Sequence, residues 1–247
     1  DAGDDHYDFD PLFADSTYAL SEYSHAIGLG GTSIEDADGN VHSEASGVIK
    51  EELSRYDSLL IGCGLGQSTG TQAFVRELLF SLPFPLLPVL VDADGLNNLS
   101  RIENWWHDLN GPLVLTPHPG EMSTLTGVAI PEIQSNRVEV AMEWASRWRA
   151  TVVLKGAHTV VASNDGQCHV SPFANAGLAS GGTGDVLSGI IVGLLAQGIA
   201  SLDAAKLGVF IHGLVGETVR AELGDAGMLA SDLLPKIPVA LRQLNTT

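Results

Sequence analysis

The chain has 247 residues, 45% of them hydrophobic and 17% charged, with 28 glycines. This is a globular profile with material for a large core, which argues against an intrinsically disordered chain. With 30 acidic residues against 12 basic, the net charge is −18, so no basic surface is available for nucleic-acid phosphates or anionic lipid, and neither partner is expected.

The N-terminal stretch "DAGDDHYDFD" is acidic and lacks the basic and apolar segments of a signal peptide. No apolar run approaches the roughly eighteen residues of a membrane span. Cys63 and Cys168 belong to no C-x-x-C pair or histidine cluster, so two inert thiols in a reducing, cytoplasmic compartment are expected. "SIEDADGNVHSEASG" reads as a polar surface loop leading to a helix. "YDSLLIGCGLGQ" reads as a buried strand ending in a glycine turn. "STGTQAFVRELLFSL" has helical spacing, with caps at Ser68 and Thr69. "LLPVLVDADGLNNL" is a second strand running into Asp92, Asp94 and Gly95. "GPLVLTPHPGEMSTLTG" gives a third strand, a proline-bounded turn and a short helix from about Gly120. "PEIQSNRVEVAMEWASRWRA" reads as one amphipathic helix with Pro131 in its first turn. "TVVLKGAHTVVASNDGQCHVS" gives two or three short strands turned at "SNDGQ", and two apolar helices follow, "TGDVLSGIIVGLLAQG" and "SLDAAKLGVFIHGLVGETVRAEL". Alternating strands and helices, with nearly continuous apolar strands, predict an α/β protein with a mostly parallel sheet covered on both faces. Ligands bind such sheets at the carboxyl ends of the strands.

Four stretches with chemical potential fall at those ends. In "NAGLASGGTGDVLSG" (residues 175–189) glycines precede a helix that carries a single acid, Asp185, at its mouth. Glycine allows close backbone approach, and successive N–H groups at a helix start hold an anion. A carboxylate beside a bound phosphate is repulsive unless it works, for example by taking a proton from an attacking hydroxyl. The alternative is a glycine turn capped by Thr183, with Asp185 placed by the helix dipole. "LTPHPGE" brings His118 and Glu121 to the same edge, or else is a proline-rich turn whose glutamate caps a helix. "LKGAHTVVA" offers Lys155, Gly156 and Thr159, where a lysine can reach a phosphate, or is a surface hairpin. "VDADGLN" places two acids at a strand end, or forms an Asx turn.

Together with "GCGLGQ", "VDADGLNNL" and "GMLASDLLPKIP", these motifs resemble the ADP/ATP-dependent NAD(P)H-hydrate dehydratases, metabolite-repair enzymes of ribokinase-like fold. The resemblance runs from about Tyr56 to Leu241. The glycine–aspartate motif alone is shared across that superfamily; "TPHPGE" with "NAGLASGGTGDVLSG" is more specific. The resemblance implies a three-layer α/β/α fold and ADP-dependent dehydration of NADHX and NADPHX with Mg²⁺. It implies Asp185 as catalytic base. It implies nucleotide binding by Lys155, Gly156, Ala157, His158, Thr159, Asn175, Gly181, Gly182, Thr183 and Gly184. Gly64, His118 and Asp185 would contact NAD(P)HX, and Glu121 would organise hydrated Mg²⁺. The bacterial form "HPGE" implies ADP as phosphoryl donor. Relatives imply a homo-oligomer, with a tetramer as one form. The chain is expected to form one domain over residues 1–247 that lacks the family's first strand–helix–strand unit and a fused epimerase domain. A small-molecule kinase of the same fold, such as a hydroxyethylthiazole kinase, and a non-catalytic nucleotide-binding protein are the rival readings.

Overall fold

A computed structural model describes residues 41, 43–82, 87–109, 111–224 and 226–244. Most of the polar stretch expected to lead into a helix, residues 33–47, lies outside the described residues. Helix α1 (Ala45–Glu52) leads to β1 (Leu59–Ile61) and α2 (Thr69–Leu79), whose N-cap is Ser68, its hydroxyl accepting from the Thr71 N–H. β2 (Val89–Val91) and α3 (Ala93–Leu99) follow, then β3 (Leu113–Leu115) and α4 (Pro119–Thr126). Helices α5 (Ile130–Ser135) and α6 (Arg137–Trp148) precede β4 (Thr151–Leu154), β5 (Val160–Ala162) and β6 (Cys168–Val170). The chain then adds α7 (Thr183–Ala196), α8 (Ser201–Leu223), α9 (Ala230–Leu233) and α10 (Ile237–Leu244).

The six strands lie side by side in chain order. The pairs from β1 to β4 are parallel, while β4–β5 and β5–β6 are antiparallel hairpin partners. Strand alternation divides the apolar side chains between two cores. Val89, Val91, Leu113, Leu115, Val152 and Leu154 pack under Phe74, Leu78, Leu96, Met122, Ala141 and Trp148 from α2, α3, α4 and α6. Leu90, Val114, Val153 and Val161 face Ile190, Ile191, Leu194, Ile211 and Val215 from α7 and α8. Crossovers between parallel strands share one hand, so a sheet laid down in sequential order collects its crossover helices on one face. The other face waits for α7 and α8, which follow the last strand. The result is a three-layer α/β/α architecture.

One expected helix is two. Asn136 breaks it, with φ −131° and ψ 45°. Its backbone N–H and its side-chain amide both donate to the Glu132 carbonyl. Asparagine competes with helical geometry through such local bonds. The break lets Arg137 leave the helix start and donate to the carbonyls of Leu154 (2.8 Å) and Lys155 (3.3 Å).

The turn after β1 touches α3 backbone to backbone. A Cβ on Gly62 (φ +129°) would lie 1.9 Å from the Asp92 carbonyl oxygen, and one on Gly95 would lie 2.7 Å from the Ile61 carbonyl oxygen. Gly95→Ala is therefore expected to cost about 1–3 kcal/mol through overpacking. Gly47, in α1 with nothing within 4 Å, gives the opposite case: Gly47→Ala is expected to stabilise by about 0.5–1 kcal/mol. Urea-unfolding midpoints of the two variants check both signs.

Candidate active site

The carboxyl ends of β1 to β4 and the start of α7 meet at one rim of the sheet. Asp92 lies at its centre and is fully buried. It caps α3, with Oδ1 accepting from the Ala93 N–H at 2.8 Å and from Lys155 Nζ at 2.6 Å. Its Oδ2 accepts from the Ser188 hydroxyl at 2.6 Å. Asp94 has a different task. It accepts from the Gly66 N–H and the Gln67 side-chain amide, which clamps the glycine turn after β1 onto α3. Gly64 and Gly66 hold φ of +66° and +76° in that turn, a region that favours glycine.

After β3, His118 Nδ1 accepts from the N–H groups of Gly120 and Glu121, while Glu121 Oε2 accepts from the His118 N–H at 2.7 Å. This reciprocal box starts α4. The expected glutamate cap is present, and His118 shares it. With Nδ1 accepting, Nε2 carries the proton and faces Glu121 Oε1 at 3.4 Å. Burial pushes the Glu121 carboxyl up, against the pull of Lys155 and His118.

Lys155 follows β4. Its amine pairs with Asp92 and stands 3.7 Å from Glu121 Oε2. Burial acts to lower its pKa, but the two carboxylates prevail and the amine is held above its ordinary value. A Cβ on Gly184 would lie 3.5 Å from this amine, so the charge sits beneath the first turn of α7. Gly156, Ala157 and His158 are exposed, and the Thr159 hydroxyl donates to the Gly156 carbonyl. The His158 N–H donates to the Phe173 carbonyl, which ties this turn to the glycine loop.

In that loop Asn175 Oδ1 accepts from the Gly177 N–H. Gly182, at φ +84°, is the N-cap of α7. Thr183 does not cap the helix; its hydroxyl donates back to the carbonyls of Leu178 and Ser180. Gly181 and Gly182 are exposed, leaving the helix start open to an anion. Asp185 is half-buried in the first turn. Burial raises its pKa; a hydrogen bond from Cys63 opposes that, the nearby Asp92 adds to it, and Lys155 opposes it. The Cys63 sulfur and one oxygen each of Asp92 and Asp185 lie within 4.8 Å of one another. Burial, reinforced by the two carboxylates, pushes the Cys63 thiol far up, so it is a donor rather than a thiolate.

The structure thus gathers Gly64, His118, Glu121, Lys155 and Asp185 at one rim, with the 156–159 turn and the 175–184 loop tied together beside them. It adds Ser188, Cys63 and His212, which sequence reading did not single out, and puts Asp92, one of the two strand-end acids of "VDADGLN", at the centre. Ser188 had a usable signal: it stands three residues after Asp185 and shares its helix face. His212 of α8 is buried and its Nε2–H donates to the Thr183 carbonyl at 2.9 Å.

Burial pushes His212 down to about 4, against the pull of the Thr183 carbonyl and with help from Lys155. Between its ordinary 6.5 and about 4, the unfolded chain takes up a proton there that the folded chain refuses. Stability is therefore expected to fall as pH drops through that window, by up to about 3 kcal/mol from this group. His212→Gln should flatten that part of the acid slope in urea unfolding at stepped pH. A slope identical to the parent's would mean that the imidazole is not held neutral.

A family model described as NAD(P)H-hydrate dehydratase matches residues 31–239. The chain is 43% identical over 210 residues to the bifunctional NAD(P)H-hydrate repair enzyme Nnr of Moorella thermoacetica, which covers 85% of this chain and 39% of that one. It is 38% identical over 185 residues to the ADP-dependent (S)-NAD(P)H-hydrate dehydratase of Bacillus subtilis, covering 74% and 64% of the two chains. A crystal structure of the ADP/ATP-dependent NAD(P)H-hydrate dehydratase from Bacillus subtilis, co-crystallised with ATP/Mg²⁺, superposes with a TM-score of 0.68 at 37% identity, over 76% of this chain and 65% of that one. The chain spans about two fifths of the length of the bifunctional relatives it matches.

Proposed function

The chain belongs to the NAD(P)H-hydrate dehydratase family, and from that premise we propose that it dehydrates NADHX and NADPHX at the expense of ADP, releasing NADH or NADPH, AMP and phosphate. The observation that carries this reading is the placement of Asp185. It stands in the first turn of a helix whose glycine mouth is open, with the Lys155 ammonium close beneath.

The 156–159 turn and the glycine loop, with Lys155, Asn175, Gly181, Gly182, Thr183 and Gly184, receive ADP, its terminal phosphate resting on the amides at the start of α7. Gly64 and His118 border the hydrated nicotinamide, whose hydroxyl lies against Asp185. The hydroxyl oxygen attacks the terminal phosphorus as Asp185 takes its proton, and the bond to AMP breaks. The phosphorylated ring then expels phosphate and loses a ring proton, which restores the double bond. The raised pKa of Asp185 suits a base that must both accept and release a proton. The amides and Lys155 oppose the charge that develops on the phosphoryl oxygens.

The donor set fits Mg²⁺. Asp185 and Glu121 present hard carboxylate oxygens, Asp92 is committed to Lys155, Ala93 and Ser188, and the Cys63 thiol stays protonated. Magnesium keeps most of its waters and binds through one or two carboxylates plus substrate phosphates, so Glu121 would hold it through that shell. When bound, it neutralises diphosphate charge. We read the working form as a homo-oligomer, a tetramer included, in the cytoplasm, with the chain acting as one domain; among the described residues no helix is long and apolar enough to cross a membrane.

Asp185→Asn is expected to keep the fold and ADP affinity while turnover of NADPHX falls by roughly 10²–10⁴-fold. NADPH absorbance reports the rate and calorimetry the binding. Turnover at the parent rate would remove Asp185 from the mechanism. With the parent enzyme, parallel assays should show clear preference for ADP over ATP; the reverse preference overturns the reading of "TPHPGE".

A further inference from the structure

The glycine loop is flexible by composition, yet its two anchors and its end are keyed to a single helix. On α8, Gly208, His212 and Gly216 recur every four residues and so share one face, with Gly213 beside them. His212, Gly213 and Gly216 each meet a part of the segment from Phe173 to Thr183 that forms the anion hole. A Cβ on Gly213 would fall 2.1 Å from the Phe173 ring, and one on Gly216 would fall 2.8 Å from the Leu178 methyls. The side chains of Phe173 and Leu178 therefore occupy notches that only glycine leaves. One turn closer to the helix start, a Cβ on Gly208 would lie 2.5 Å from Ile191 of α7, so the two helices approach closely there. Between these notches His212 donates Nε2–H to the carbonyl of Thr183, the first residue of α7. The loop's exposed apex leans elsewhere: a Cβ on Gly181 would meet nothing within 4 Å, and one on Gly182 would lie 3.1 Å from the Ala230 Cβ of α9.

We infer that this face of α8 is a rigid seat that pre-organises the glycine loop and the first turn of α7, and that His212 is a positioning residue acting through the Thr183 carbonyl on the anion-binding amides and on Asp185. The inference rests on the nucleotide-site reading above and deepens it. A site built on fixed dipoles works only if they already point at the charge when it develops. Two apolar keys fix where the loop lies, but neither fixes the rotation of α7 about its own axis. The Ser188–Asp92 bond holds the second turn of α7, and a hydrogen bond to the carbonyl of its first residue holds the first turn, where the amides and Asp185 lie. The Phe173 carbonyl also accepts from the His158 N–H, so the same seat sets the distance between the loop and the 156–159 turn. His212 is suited to the task because it stays neutral: an imidazolium beneath the anion hole would change the field with pH, whereas a neutral ring supplies direction alone.

The test compares His212→Leu, which keeps the bulk and loses the N–H, with His212→Gln, whose side-chain amide reaches to about the Nε2 position. In His212→Leu the KM for ADP should rise and kcat should fall, each by about tenfold, together about a hundredfold in kcat/KM, the upper range for a buried carbonyl left without its donor. His212→Gln should recover both to within about threefold. Amide hydrogen exchange at residues 181–186 should quicken in His212→Leu and not in His212→Gln, while exchange in β2 and β3 stays slow in both. Parent values of KM, kcat and exchange in a folded His212→Leu protein would overturn the seat, as would equal impairment in the glutamine variant. If His212→Leu does not fold, Gly216→Ala takes its place: the added methyl should unseat Leu178, raise the KM and quicken exchange at residues 176–186, and unchanged values would overturn the inference. A parent enzyme without ADP-dependent turnover sinks the proposed reaction, and the exchange comparison then decides the seat by itself.

Discussion

Asp92 is a buried carboxylate, and it is tenable there because three chain segments converge on it. Lys155 arrives from the end of β4, Ser188 from the second turn of α7 and the Ala93 amide from the start of α3. An unpaired buried charge typically costs about 3–5 kcal/mol, so each partner is bound to the others' presence. The positions of β2, β4 and α7 at the rim are thereby coupled through one side chain. Asp185 gains its place indirectly, one helical turn before Ser188. The same ion pair also explains why Lys155 can sit so close beneath the glycine loop while largely shielded from water: its charge is already answered.

This arrangement also reconciles the site with the molecule's overall electrostatics. A protein of net charge −18 repels anions at long range. Salt confines that repulsion to roughly 8 Å from each exposed charge. Within that distance the glycine amides and the α7 dipole act without a counter-charge of their own, and Lys155 adds a cation that two neighbouring carboxylates keep protonated. On the proposed reading, recognition of a diphosphate here rests on aimed backbone groups at contact range, and a basic surface is not required.

Much of this was legible in the sequence. The parallel strands announced themselves as unbroken apolar runs because both faces are covered, and the polar residues after "LLI", "VLV", "LVL" and "TVVL" marked the rim. The glycine loop and Asp185 stood out because so many glycines before one acid have few structural uses. The break at Asn136 was hidden, since the apolar spacing of residues 131–150 runs through it. Asp92 and Asp94 looked alike as a pair of acids at a strand end; only tertiary partners distinguish the buried hub from the turn clamp. Cys63 was unremarkable in composition and becomes part of the site only because Gly62 lets its turn touch α3. His212 sat in an apolar helix where a histidine is usually mere core. Its partner is 29 residues away, beyond the reach of any local pattern.

The sequential strand order has a consequence for how the molecule comes into being. Growing from its N-terminus, the chain can complete β1 to β6 and clothe one face of the sheet before any of α7 exists. Leu90, Val114, Val153 and Val161 then line a bare apolar surface until the last quarter of the chain arrives. The bond that fastens α7 to the rim joins residues 96 positions apart, and Ser58 reaches the Val192 carbonyl across 134. Contacts of that span are slow to form, and exposed apolar surface in the interval invites association with other chains. During synthesis, the sheet is therefore assembled well before it is protected, and the rim is completed only when α7 arrives.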